Sequence, residues 1–261
     1  MSKHNYLIKQ DNFLNCSIEQ LPDDLPAYVL SFLGTLEIIK IKSVSRYFSK
    51  ILLDPVAWNN IISIRFDLYR NQKISGDDIM RIFQNIPVSK IELGNVHISD
   101  LGLEIISKQQ KYLKHFRLHN FHNEHNQITD IGLMHLSKLQ VHHLSIMYCD
   151  RITDQGIWHL RIAPIKYLNL SNCPITDASL KYVGEWPIEY LVLSGNQITD
   201  NGLRYFCHLG QLKHLDLSEC PITDDGLGYL NYSNLEYLNL AMCHHITVQS
   251  KFQIFDNYVD T

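Results

Sequence analysis

Residues 191–203 read Leu191-Val-Leu193-Ser-Gly195-Asn196-Gln-Ile198-Thr-Asp200-Asn-Gly202-Leu203, and variants of this sentence recur from Ile74 towards the C-terminus. The Ile-Thr-Asp phrase begins at Ile128, Ile152, Ile175, Ile198 and Ile222, preceded by Ile-Ser-Asp at Ile98 and followed by a decayed Ile-Thr-Val at Ile246. The steps between them are 30, 24, 23, 23, 24 and 24 residues. Gly follows two places after the acid in five phrases, at Gly102, Gly132, Gly156, Gly202 and Gly226. A second phrase alternates with the first: Leu168-Asn-Leu170, Leu191-Val-Leu193, Leu215-Asp-Leu217 and Leu238-Asn-Leu240, each followed three places on by Cys173, Asn196, Cys220 or Cys243.

Alternation of Leu with polar residues is the period of a half-buried strand. Thr or Asp before a helical stretch accepts the free N–H groups of its first turn. Gly at the helix start permits close packing against a neighbouring coil, and Leu203 with Phe206, or Leu227 with Leu230, then face inward. A period of 20–29 residues with an L-x-L-x-x-N/C core predicts a leucine-rich repeat solenoid. The expected fold class is α/β: a right-handed solenoid with a parallel concave sheet and a helical convex side. Such an array presents a long face to a partner.

With hydrophobic residues at 45% of its 261 positions, the chain has enough apolar surface for a continuous core. A formal charge of −4 gives no electrostatic case for nucleic acid or an anionic membrane. The first fifteen residues lack the apolar run of a secretory signal, and no stretch approaches eighteen apolar residues. A soluble, cytoplasmic protein is expected. Cys149, Cys173, Cys220 and Cys243 share one repeat position with Asn196, which predicts inward-facing thiols packed at the bend after the strand rather than a disulfide or zinc framework.

The outward strand positions form columns. The first runs Lys90, His115, His143, Tyr167, Tyr190, His214, Tyr237; the second Glu92, Arg117, Ser145, Asn169, Val192, Asp216, Asn239; the third Gly94, His119, Met147, Ser171, Ser194, Ser218, Ala241. A column of six His and Tyr residues predicts an interface, because such rings combine apolar area with polar edges. The candidate target-binding residues are His115, Arg117, His143, Tyr167, Asn169, Tyr190, His214, Asp216 and Tyr237. His115, His119, His122, Glu124 and His125 invite a metal hypothesis. Four residues of strand separate His115 from His119 by about 13 Å, too far to share an ion. No metal and no cofactor are expected. The chain has no Gly-rich phosphate loop, no G-x-S-x-G and no H-E-x-x-H, so a non-catalytic role is expected.

Ahead of the repeats, residues 21–61 read as three short helices, opening on Leu21-Pro22-Asp23-Asp24 and closing near Trp58. The order Leu21-Pro22, Asp24-Leu25, Val29-Leu30, Leu33, Glu37-Ile38, Val44-Ser45-Arg46, Phe48 and Trp58 resembles the F-box. The Cys-bearing repeats likewise resemble those of F-box proteins of the leucine-rich-repeat class, in which the two motifs occur in this order. Phe48 stands where that family often has Trp, and Pro26 lies inside the first helix. The resemblance implies that Leu21, Pro22, Leu25, Val29, Leu30 and Leu33, with Ile38, Val44 and Phe48, dock a Skp-family adaptor and through it a cullin–RING ubiquitin ligase. The repeats would then hold an unknown target protein, in a native receptor or in a pathogen effector borrowing a host ligase. The alternative is a repeat scaffold with no ligase, its N-terminal helices forming a cap. The expected organisation is a tail over 1–20, the F-box over 21–61, connecting helices and a partial repeat over 62–90, repeats over 91–248 and a cap or tail over 249–261.

Overall fold

The computed structural model describes residues 88–94, 98–119, 127–230 and 234–247, together with the backbone of 63–67. The chain divides between Asn59 and Asn60, and every described residue belongs to the second unit. The F-box residues from Leu21 to Phe48, and His122, Glu124 and His125, lie outside the described residues.

Among the described residues, eight parallel strands form one sheet in sequence order. They are β1 (Ser63–Asp67), β2 (Lys90–Gly94), β3 (His115–His119), β4 (His143–Met147), β5 (Tyr167–Asn169), β6 (Tyr190–Val192), β7 (His214–Asp216) and β8 (Tyr237–Asn239). Helices α1 (Asp100–Gln109), α2 (Asp130–Leu136), α3 (Asp154–His159), α4 (Asp177–Val183), α5 (Asp200–Leu203) and α6 (Asp224–Leu227) alternate with the strands from β2 to β8. The sequence reading places seven strand phrases; β1 adds one more, paired in register from Ser63 opposite Lys90.

The L-x-L alternation accounts for the core. Phe116 with Leu118, Leu144 with Ile146, Leu168 with Leu170, Leu191 with Leu193 and Leu215 with Leu217 are all at most 1% exposed. Burying each such side chain stabilises by about 1.5–3 kcal/mol, but only once the next repeat covers it. Leu203, Phe206, Leu227 and Leu230 complete this core from the helical side, as their spacing predicts.

Each helix starts at an Asp, and the residue before it is the N-cap. Ser99, Thr129, Thr153, Thr176, Thr199 and Thr223 accept the N–H of the second helical residue at 3.2–3.3 Å. The Asp does more than begin a helix. Its Oδ1 accepts the backbone N–H of the next repeat's Thr, and its Oδ2 accepts that Thr's hydroxyl. Asp100 binds Thr129 in this way at 2.8 and 2.7 Å, and Asp130 binds Thr153 at 2.8 and 2.7 Å. Asp154–Thr176, Asp177–Thr199 and Asp200–Thr223 repeat the clamp. The Ser or Thr takes the capping role that the sequence offered to Thr or Asp, and the Asp side chains instead staple consecutive repeats together.

The glycines follow from the clamp. A Cβ on Gly132 would stand 2.5 Å from Asp100 Oδ1, and those on Gly156, Gly202 and Gly226 would crowd Asp130, Asp177 and Asp200 in turn. Where the array has Ser179 instead, its hydroxyl donates to Asp154 Oδ1.

In five of the repeats, the bend after the strand places one residue in the left-handed region: Tyr148, Asn172, Gly195, Glu219 and Met242, with φ of 54–70°. The next residue turns inward. Cys173, Cys220 and Cys243 donate their thiols to the previous coil's Ile146, Leu193 and Leu217 carbonyls at 3.5, 3.3 and 3.1 Å. Asn196 does the same with its amide, donating to Leu170 O at 2.9 Å and accepting Cys173 N–H at 3.0 Å. All five residues at this position are buried, as the shared spacing predicts.

Candidate functional site

The polar face of the sheet carries the candidate site. Strand pairing is in register, so Lys90, His115, His143, Tyr167, Tyr190, His214 and Tyr237 lie side by side. From His115 onward the rings touch in an unbroken series. His143 stacks on Tyr167 at 3.8 Å with planes 6° apart, and Tyr190 on His214 at 4.6 Å and 20°. Tyr167–Tyr190 and His214–Tyr237 stack more loosely, at 6.0 and 5.3 Å, and His115 tilts against His143 at 5.2 Å. The parallel ladder sets this series, since neighbouring strands run about 4.8 Å apart. Ring contacts of this kind add about 0.5–1.5 kcal/mol beyond area burial. Tyr237, at the end of the series, is 48% exposed.

The second column divides into two. Arg117 is exposed, in register between Glu92 and Ser145. Asn169 and Asp216, both read from sequence as target contacts, turn their polar atoms to the chain itself. Asn169 Oδ1 accepts the Ser171 N–H and hydroxyl at 2.9 and 2.7 Å. Asp216 Oδ1 accepts the same pair from Ser218 at 2.9 and 2.6 Å, and its Oδ2 accepts the Asn239 amide at 3.0 Å. These side chains close the bends that follow β5 and β7. Sequence reasoning missed this task, although Asn or Asp two places before Ser is its signature. The same bonds pull Ser171 and Ser218 out of solvent, and Ser145 is covered too, so these three columnar positions are buried rather than displayed.

At the β2–β5 end, Lys90, Glu92, His115, Arg117, His143 and Tyr167 line a depression of about 150 Å³. Lys90 pairs with Glu92 at 2.9 Å. Burial pushes the His143 imidazole down to about 4, helped by His115, Lys90 and Arg117 and opposed by Glu92. His115 is lowered as well, by burial first and then by Lys90 and His142. Both rings are therefore neutral at pH 7 and keep one N–H donor each. No group of three or more His, Cys, Asp or Glu side chains suited to a metal ion occurs among the described residues.

A family model described as Leucine Rich repeat matches residues 163–184, 187–207 and 212–230. The chain carries leucine-rich repeats. No curated protein matches the sequence. Among solved structures, the chain is similar to one in the crystal structure of the Rad7 and Elc1 complex in yeast, with a TM-score of 0.52 and 17% identity. The likeness covers 76% of this chain and 60% of that one, and at such identity it is a likeness of fold. Among the described residues, no helix is long and apolar enough to cross a membrane.

Proposed function

We propose that this chain is a non-catalytic recognition subunit: the ring-bearing sheet face holds a target protein, and residues 21–61 dock a Skp-family adaptor that leads to a cullin–RING ubiquitin ligase. The observation that carries the first half is the stack from His115 to Tyr237, six rings in contact on the polar face of a parallel sheet. Pre-stacked rings lose little side-chain freedom on binding, and aromatic anchors of this type dominate protein interfaces.

The second half is supported by the F-box resemblance of Leu21, Pro22, Leu25, Val29, Leu30 and Leu33, with Ile38, Val44 and Phe48 in support. A likeness of fold to a chain from a two-protein complex, that of Rad7 with Elc1, agrees with an assembly role. The setting is the cytoplasm of a eukaryotic cell, whether the chain is native there or delivered.

The test of the face is a triple variant, Tyr167→Ala/Tyr190→Ala/Tyr237→Ala, compared with the parent for captured proteins in eukaryotic cells. The proposal expects a specific set of captured proteins to disappear while adaptor binding persists. Unchanged capture by the folded triple variant would remove the sheet face from target recognition.

A further inference from the structure

The depression at the β2–β5 end has a chemistry distinct from the ring stack that runs beyond it. Among the described residues, its walls offer Lys90, Arg117 and Glu92. Lys90 pairs with Glu92 at 2.9 Å. Arg117, exposed on the next strand, has no carboxylate within 4.0 Å among the described residues. His115 and His143 flank it in the neighbouring column, and Tyr167 closes the far side by stacking on His143 at 3.8 Å. Among the described residues, the site therefore offers the Arg117 charge beside neutral N–H and O–H donors.

Resting on the reading of the sheet face as the target-binding surface, we infer that this depression seats one acidic side chain, Asp or Glu, of the bound target, its carboxylate against the Arg117 guanidinium. The planar fork of Arg matches a carboxylate with two parallel hydrogen bonds. Charge counting selects the occupant. One unpaired cation balances one carboxylate, whereas a phosphorylated side chain brings nearly two negative charges. Among the described residues, Lys90 is already paired with Glu92 and both imidazoles are neutral at pH 7, which leaves Arg117 as the cation available to a carboxylate.

The imidazoles report the same field. Burial is the largest cause lowering both rings; among the charges, His115, Lys90 and Arg117 lower His143, Lys90 and His142 lower His115, and Glu92 opposes them at both. A carboxylate seated on Arg117 offsets the Arg117 contribution at His143. His143 then takes up its proton at higher pH than in the free protein.

The experiment is a ring-nitrogen NMR titration of the full chain with three capped single residues: N-acetyl-glutamate amide, N-acetyl-glutamine amide and N-acetyl-phosphoserine amide. The glutamate probe is expected to move the His115 and His143 ring signals saturably and to raise the pH at which His143 titrates. The glutamine probe should do neither. Arg117→Gln, at an exposed position and checked by an unchanged melting temperature, should weaken the glutamate probe about tenfold or more. Equal behaviour of the glutamate and glutamine probes, or an unaltered response in Arg117→Gln, would overturn the inference. Tighter binding of the phosphoserine probe than of the glutamate probe would overturn the choice of a single charge. None of these outcomes decides the wider reading of the face, which stands or falls on capture by the triple Tyr variant.

Discussion

Asp154 grips Thr176 of the following repeat through two hydrogen bonds, 2.9 Å from the Thr176 N–H to Oδ1 and 2.6 Å from its hydroxyl to Oδ2. The Thr hydroxyl simultaneously accepts the Ala178 N–H at 3.3 Å, so one side chain caps its own helix and locks onto the previous one. The contact recurs along the array, which makes the helical side a chain of charge-assisted bonds between repeats.

Breaking one link should therefore loosen two repeats at once. Asp200→Ala removes both acceptors from Thr223 and is expected to destabilise the protein by about 1–3 kcal/mol. Urea unfolding measures it as a lowered midpoint. A midpoint equal to that of the parent would mean the clamp contributes nothing net.

Gly202 tests the space the clamp needs. A Cβ there would lie 2.8 Å from Leu180 Cδ1 and crowd Asp177 Oδ1, so Gly202→Ala is expected to cost about 1–3 kcal/mol. Gly202→Ser should cost less than Gly202→Ala, because the Ser179 hydroxyl already bonds Asp154 at the equivalent place. Denaturation midpoints for the two variants should separate in that order, and the reverse order would contradict this account of the glycine.

His143 should make stability depend on pH. Its folded value is lowered to about 4 from an unfolded value of about 6.5. The unfolded chain therefore binds the proton more readily, and the contribution is fully present above about pH 6.5 and is lost as pH falls towards 4. His143→Gln should flatten that part of the melting-temperature profile. A slope identical to that of the parent would place the pH dependence elsewhere.

The thiols should differ in reactivity. Cys207 is exposed, whereas Cys220 is buried and raised to about 11 by that burial. Alkylation of the native protein, followed by mass spectrometry, should label Cys207 well before Cys173, Cys220 or Cys243, which become reactive on unfolding. Early labelling of Cys220 would contradict its burial beneath the bend.

Much of this arrangement is legible in the sequence because its signals are local. Leu191 and Leu193 declare a strand by alternation, and Thr199 declares a helix start two residues before Asn201, whose N–H it caps. The ring column is legible from register alone, since parallel strands bring equivalent positions together. The clamp is harder to see because Asp177 and Thr199 lie 22 residues apart. Each has a sufficient local reason to exist, and only the joint recurrence of Asp, Thr and Gly hints at a bond between repeats. The bend contacts of Asn169 and Asp216 were missed for a related reason. An outward position on a strand suggests solvent, but a short polar side chain at a strand's last residue reaches the next bend first. Which groups in the Lys90–Tyr167 depression are paired is a matter of distances, and spacing carries no such information.

The central claim joins a target-holding face to a ligase adaptor, and its most direct test is calorimetric titration of the purified chain with a eukaryotic Skp-family adaptor. A Leu21→Ala/Pro22→Ala variant, verified as folded, runs beside it. The account predicts binding by the parent and its loss in the variant. No binding by the parent would contradict it and leave a repeat scaffold without a ligase.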